Sequence, residues 1–432
     1  MDKEGLKNFL SKKVTKKDIH GALEYIFESS LFKKKIFLGI IIFFSIAHFV
    51  VRNYEHFSFW DIDAPSFYTA AEGVLRDINI YDHNAFQDLA NELFGRSQTV
   101  YPYLYWPVLA QFFTPFTLLD YKSYFDVLLV INFLLSFCCF FLIYKLLELQ
   151  KNQNNITLMF LFIAFSWNRP LIDTFQLGQI NILVLTLILL ALWLLKKDKE
   201  FLSSFFLCLA VYFKIYPVLF LFLFMLQKRY RYVIYTAVNG VLVFLLSVSI
   251  FSFKPWESFI RMGLNNFLFG KKSEFFFDFN AQWGNVSVNG FLSQLFIQLG
   301  LPRSLVMPVF LILIGLTILI FRKKIVQIIR CRDINFGASV VIILSLVLST
   351  ISWSHHYVIM IYPLAFFLNR ISTEKRYAYL PLFILLALPI LKHPWAGGFP
   401  FFQIIMLSAV LILFLMIKFQ LGSKENKHLS SA

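Results

Sequence analysis

The stretch Ile180-Asn181-Ile182-Leu183-Val184-Leu185-Thr186-Leu187-Ile188-Leu189-Leu190-Ala191-Leu192-Trp193-Leu194-Leu195 runs without a charge until Lys196 and Lys197. It is apolar as a block, with no single apolar stripe at helical period, so as a helix it is hydrophobic all round and belongs in a large core or a bilayer. Similar blocks run from Ile36 to Val51, Phe125 to Tyr144, Val233 to Phe253 and Ile404 to Ile417. A run of about 18–20 such residues spans the hydrocarbon of a membrane as a helix. The composition settles the choice: 58% of the 432 residues are hydrophobic and 15% are charged. Soluble chains hold roughly 45–50% and about 25%, and surface-to-volume scaling leaves no soluble core able to hide such an excess. The blocks do not alternate in period two, which excludes a barrel. The expectation is an all-α, polytopic integral membrane protein of about 11–13 apolar segments.

The net charge of +15 would fit nucleic acid, but its placement argues against it. Residues 1–35 hold nine Lys against five acids. Further basic groups are Lys228, Arg229 and Arg231; Arg322, Lys323, Lys324, Arg330 and Arg332; Arg370, Lys375 and Arg376; and Lys418, Lys424 and Lys427. Each group flanks an apolar run in a short connection, the positive-inside pattern of cytoplasmic loops. Arg52 to Val100 carries eight acids against three basic residues, so this loop is expected on the opposite side. The long segment Lys254 to Leu301 is placed with it. The resulting organisation is a basic cytoplasmic segment 1–34, a membrane domain 35–418 and a cytoplasmic tail 419–432. The polar, Lys-rich start is too long for the n-region of a cleaved signal, so the first span is expected to anchor the chain. Cys138, Cys139, Cys208 and Cys331 have neither disulfide nor zinc spacing and read as packing residues.

Polar islands interrupt the apolar sequence, and functional residues concentrate on the elaborated outer loops. From Asp63, the residues Phe67, Ala70, Ala71 and Val74 share one face of a short helix suited to the membrane surface. Asp63 at its start, with Pro65 in the first turn, has two readings: a helix N-cap, or a carboxylate placed where a lipid-linked substrate meets a polar acceptor. Tyr101-Pro102-Tyr103-Leu104-Tyr105-Trp106-Pro107 reads as an interfacial aromatic belt, or as rings able to stack on a sugar. Asn168-Arg169-Pro170 and Gln176-Leu177-Gly178-Gln179 break one apolar region, Gly178-Gln179-Ile180-Asn181 opens the span that follows, and Lys214-Ile215-Tyr216-Pro217 breaks the next region. Non-helical backbone at membrane depth is tolerated where it is buried or lines a wet cavity. A lysine there is costly unless paired or solvated, so Lys214 reads as functional. Asn285-Val286-Ser287-Val288-Asn289-Gly290 opens a later helix. In Ser352-Trp353-Ser354-His355-His356, adjacent histidines point about 100° apart on a helix. They are not a chelating pair, and read either as a polar patch or as phosphate donors.

In order, these islands resemble the polyprenol-phosphate-sugar-dependent glycosyltransferases of family 87, which have the GT-C membrane fold. The resemblance rests on Asp63 with Phe67, Tyr68, Ala70 and Ala71; on Gly73, Tyr81 and Asp82; and on Tyr101-Pro102-Tyr103-Leu104, where the family's second proline is lost. It continues through Gly178, Gln179 and Asn181; Lys214 and Pro217; Asn285, Ser287 and Gly290; and Trp353, His355 and His356. It covers about residues 36–370. It implies inverting transfer of a hexose, mannose-type first, from a polyprenyl phosphate to a lipid or glycan acceptor on the outer side of the membrane, which the Phe- and Lys-rich composition suggests is a bacterial inner membrane. Asp63 would be the general base, with Asp61 its rival. Tyr68, Tyr101, Gln179, Asn181, Lys214, Asn285, His355 and His356 would hold substrate, with Arg169 a lesser candidate. Neither metal nor cofactor is implied. The other readings are a transporter or flippase of a lipid-linked saccharide, a glycan polymerase or ligase, and a non-catalytic scaffold.

Overall fold

The computed structural model describes residues 63–95, 100–152, 155–263, 284–391 and 403–421, and the single position 39. Asp61 and, apart from position 39, the Ile36–Val51 run lie outside them. The helices that matter here are α1 (Ala64–Leu75), α2 (His83–Phe94), α3 (Pro107–Phe113), α4 (Tyr121–Leu146), α5 (Asn155–Trp167), α6 (Arg169–Gln176), α7 (Asn181–Leu195) and α8 (Glu200–Phe213). They continue with α9 (Leu219–Leu226), α10 (Tyr230–Phe251), α11 (Val288–Gln298), α12 (Val306–Arg330), α13 (Ile334–Val347), α14 (Ile361–Thr373), α15 (Leu380–Leu391) and α16 (Gln403–Leu421). No strand occurs among the described residues beyond an isolated bridge between Asn285 and Trp353. The chain is an all-α polytopic membrane protein.

The apolar runs are not all full spans. Four described helices are long and apolar enough to cross a bilayer, or five if the pair bent by 115° between Gln176 and Asn181 counts as one. The others are cut short by the polar islands. Asn168 ends α5 and caps α6, accepting from Leu171 N at 3.3 Å. Pro217 cannot continue α8, and Lys214 beyond its last turn is extended, with φ −147° and ψ 137°.

Two ends result. At one, the turns after α4, α7, α9, α12 and α14 gather the basic residues. Lys196 Nζ and Asn335 Nδ2 both donate to Leu146 O, at 2.9 and 3.2 Å. Arg231 pairs with Glu200 at 3.5 Å, and Gln227 Nε2 reaches Cys331 O at 3.2 Å. At the other end α1 and α3 pack over the bundle, with Phe67 stacked 5.5 Å from Phe113.

The helices that approach α1 from below stop early. With 15 and 14 residues, α7 and α8 are roughly 22 and 21 Å long at 1.5 Å per residue. With 26 and 22 residues, α4 and α10 reach roughly 39 and 33 Å. The cross-links fix the level. Asn132 of α4 donates to Gln179 O at 3.0 Å, so Gln179 lies some 11 residues, ~17 Å, below the start of α4. Tyr212 of α8 donates to Gly240 O at 2.8 Å, which places the end of α8 the same ~17 Å below the end of α10. The helix breaks therefore meet inside the bundle, well below the start of α4 and the end of α10.

Candidate active site

Asp63 immediately precedes α1, yet its side chain makes no capping hydrogen bond. The contrast within the chain is direct. Asp82, Asp120, Asn168, Asp333 and Ser287 all accept from the backbone N–H groups of the helices they start. Asp63 instead has helical backbone angles, and its N–H and that of Ala64 both donate to Leu177 O at 3.1 Å. The helix start is thus sewn to the α6–α7 break, and the carboxylate is left for other work. The helix also differs from a one-sided surface helix. Phe67, Ala70 and Ala71 are buried as their spacing predicts, but so are Pro65, Ser66, Tyr68, Thr69 and Gly73. α1 is inserted among its neighbours, which fixes Asp63 rigidly.

Gly178 makes that seam possible. Its φ is +64°, a region that favours glycine, and an added Cβ would lie 2.5 Å from Ala64 Cβ. Gly178→Ala should lower stability by about 1–3 kcal/mol and move Asp63 out of register. Thermal unfolding and transfer activity measured together check this; a fully stable, fully active variant contradicts it.

Across the seam, Lys214 Nζ donates to Asn181 Oδ1 at 2.6 Å and lies 3.1 Å from His356 Nε2. An ammonium has no lone pair, so a charged Lys214 requires His356 to accept through Nε2, the tautomer with its hydrogen on Nδ1. Asn181 is oriented by its other end: Nδ2 donates to Thr174 Oγ1 and His355 O, both at 3.3 Å. Lys214 is 6% exposed and Asn181 fully buried, so the ammonium is compensated by fixed dipoles rather than by water. Tyr105 completes the group. Its hydroxyl accepts from Gln179 Nε2 at 3.4 Å, and Lys214 Nζ lies 5.7 Å from its ring centroid.

Burial raises the Asp63 carboxyl above its ordinary value of 3.8, while a hydrogen bond from Gln179 and the Lys214 charge pull the other way. Burial, and then the Asp63 charge, likewise raise the phenols of Tyr101 and Tyr105. The helix breaks therefore bring together Asp63, Tyr101, Gln179, Asn181, Lys214 and His356. The ring of His355 lies 4.6 Å from that of His356, at 87°.

Two sequence candidates are placed elsewhere. Tyr68 turns from Asp63 toward the start of α4, donating to Leu119 O at 2.9 Å and packing on Tyr121 and Tyr124. Asn285 is fully buried. Its amide accepts from Ser352 N and donates to Thr350 O, both at 2.9 Å, while Ser287 caps α11 through Gly290 N at 3.0 Å. The Asn-x-Ser-x-x-Gly motif thus clamps the segment leading into Trp353 and the histidines. Arg169 pairs with Asp173 at 2.7 Å within α6. Thr174 and Asn132, which hold Asn181 and Gln179, are residues that sequence reasoning missed, and Tyr105 was read only as one ring of the aromatic run. A lone Asn inside an apolar helix, as at Asn132, was the available signal.

Asp63 and the buried Lys214–His356 pair thus lie about one seam of an all-α bundle, close enough for the Asp63 and Lys214 charges to act on each other. The profile of glycosyltransferase family 87 matches residues 103–350, more than half of the chain. The chain belongs to glycosyltransferase family 87 and is a membrane glycosyltransferase. The match contains Gln179, Asn181, Lys214 and Asn285, and leaves Asp63, Tyr68, Tyr101, His355 and His356 outside its limits. No curated protein matches the chain.

Proposed function

We propose that the protein transfers a hexose, mannose-type first, from a polyprenyl-phosphate donor to a hydroxyl of a lipid or glycan acceptor on the extracytoplasmic side of a bacterial inner membrane. The observation that carries this reading is the uncapped Asp63 carboxylate, bonded by Gln179 and acted on by the charge of Lys214, which Asn181 and His356 hold. Asp63, with its raised pKa, takes the proton of the acceptor hydroxyl. The acceptor oxygen forms its bond to the anomeric carbon as the bond from that carbon to the phosphate oxygen breaks. The electron pair leaves with the polyprenyl phosphate, whose charge Lys214 and the hydrogen-bonding groups around it stabilise. Gln179 and Tyr101 line the carboxylate side. The basic end of the bundle, by the positive-inside rule, faces the cytoplasm, which puts Asp63 on the other side. The setting of the site among apolar helices suits a donor whose chain stays in lipid.

A single displacement inverts the anomeric carbon. Reconstituted protein given polyprenyl-phosphate-[3H]mannose and a membrane lipid extract should give a labelled product of opposite anomeric configuration to the donor. Retention, or transfer from a nucleotide sugar alone, contradicts the proposal.

A further inference from the structure

Tyr105 stands where the two halves of the site meet, and its own placement is fixed from three directions. Its carbonyl accepts from Tyr81 OH at 2.8 Å, and its ring lies 5.2 Å from Phe67 of α1 and 5.5 Å from Tyr103. It reaches two elements that are already joined by the Lys214–Asn181 bond, and touches each at a second point. The hydroxyl receives Gln179 from the α6–α7 break at 3.4 Å, and the ring faces the Lys214 ammonium, beyond α8, at 5.7 Å. A ring with a cation near its face attracts it through its quadrupole. A phenol that accepts one hydrogen bond still has its own hydrogen to donate.

We infer that Tyr105 is a positioning residue with two separable parts: its hydroxyl holds Gln179 beside Asp63, and its ring holds Lys214 where the leaving phosphate departs. The inference rests on the proposed function for what these two neighbours do. It gives the Tyr81–Tyr105 contact a purpose, since that bond sets the height of the phenol, and it separates Tyr105 from the neighbouring aromatics of the same run.

The test is a split between turnover and donor affinity. Tyr105→Phe keeps the ring and should lower kcat by ~3–10-fold with donor KM within about 2-fold of wild type. Tyr105→Ala should in addition raise donor KM by ~3–10-fold. A merely structural role would lower the yield of folded protein in both variants and leave kcat and KM per folded molecule unchanged. Wild-type kcat in Tyr105→Phe, or an unchanged donor KM in Tyr105→Ala, overturns the inference. Wild-type protein inert toward every polyprenyl-phosphate hexose would sink the donor assignment instead. Tyr105 is then tested by a thermal-unfolding cycle of Tyr105→Phe with Gln179→Ala, where non-additivity upholds the anchor and additivity overturns it.

Discussion

Asp63→Asn is expected to lower kcat by about 10²–10⁴-fold, the usual contribution of a positioned general base, while raising thermal stability at pH values above the Asp63 titration. The two effects share one cause. Burial lifts the Asp63 carboxyl above 3.8, so the folded protein binds that proton more tightly than the unfolded chain does. Between 3.8 and the raised value the native state holds more protons, and stability falls as pH rises. Above the raised value the whole penalty is present, and Asn removes it. In the wild type, transfer falls as pH drops through the same titration, because a protonated carboxyl accepts nothing from the acceptor hydroxyl. A helix-capping Asp would behave the other way: its replacement would weaken the helix start by about 1 kcal/mol and leave turnover alone. Kinetics and thermal unfolding on one preparation separate the two, and a destabilised but active variant would return Asp63 to the role of a cap.

Lys214→Met should cost about 10²–10³-fold in kcat, the scale of removing one preorganised electrostatic group from a transition state, and weaken donor binding as well. Methionine keeps much of the length of the stem and none of the charge. It also strips Asn181 Oδ1 of the donor 2.6 Å away, so unfolding must be followed alongside. Lys214→Arg is not a safe substitute, since a planar fork does not fit a site formed around a point charge. A Lys214→Met enzyme with unchanged kcat and donor KM would make the ammonium a structural ion. Leaving-group stabilisation would then fall to other residues.

The sequence made the architecture legible for a physical reason: lipid admits few structures, so uninterrupted apolar blocks translate almost directly into helices. The breaks were legible too. Asn168, Gly178 and Lys214 stand at chain turns, as polar islands at membrane depth must when they line a site. The span count was less so, because a run such as Glu200–Phe213 is apolar enough to look like a span and too short to be one. Facing directions were the hidden part. Asp63 and Asp82 read alike as residues before a helix, yet only Asp82 turns its oxygen to the N–H groups of Asn84 and Ala85. Tyr101, Tyr103 and Tyr105 belong to one aromatic run, and only the packing of α1 against α3 decides which ring meets Lys214. Tyr68 follows Phe67 on α1, and that single step turns it toward Leu119 and away from the carboxylate. The Asn285 motif reads in the sequence as a substrate-holding element, and in the fold its groups bond to backbone beside the histidines.

The most direct measurement is label transfer in proteoliposomes that hold either wild type or Asp63→Asn at matched folding and matched donor binding. Polyprenyl-phosphate-[3H]mannose is supplied with an acceptor lipid extract. The account predicts a labelled product from the wild type and about 10²–10⁴-fold less from Asp63→Asn. Equal transfer by both proteins would contradict it.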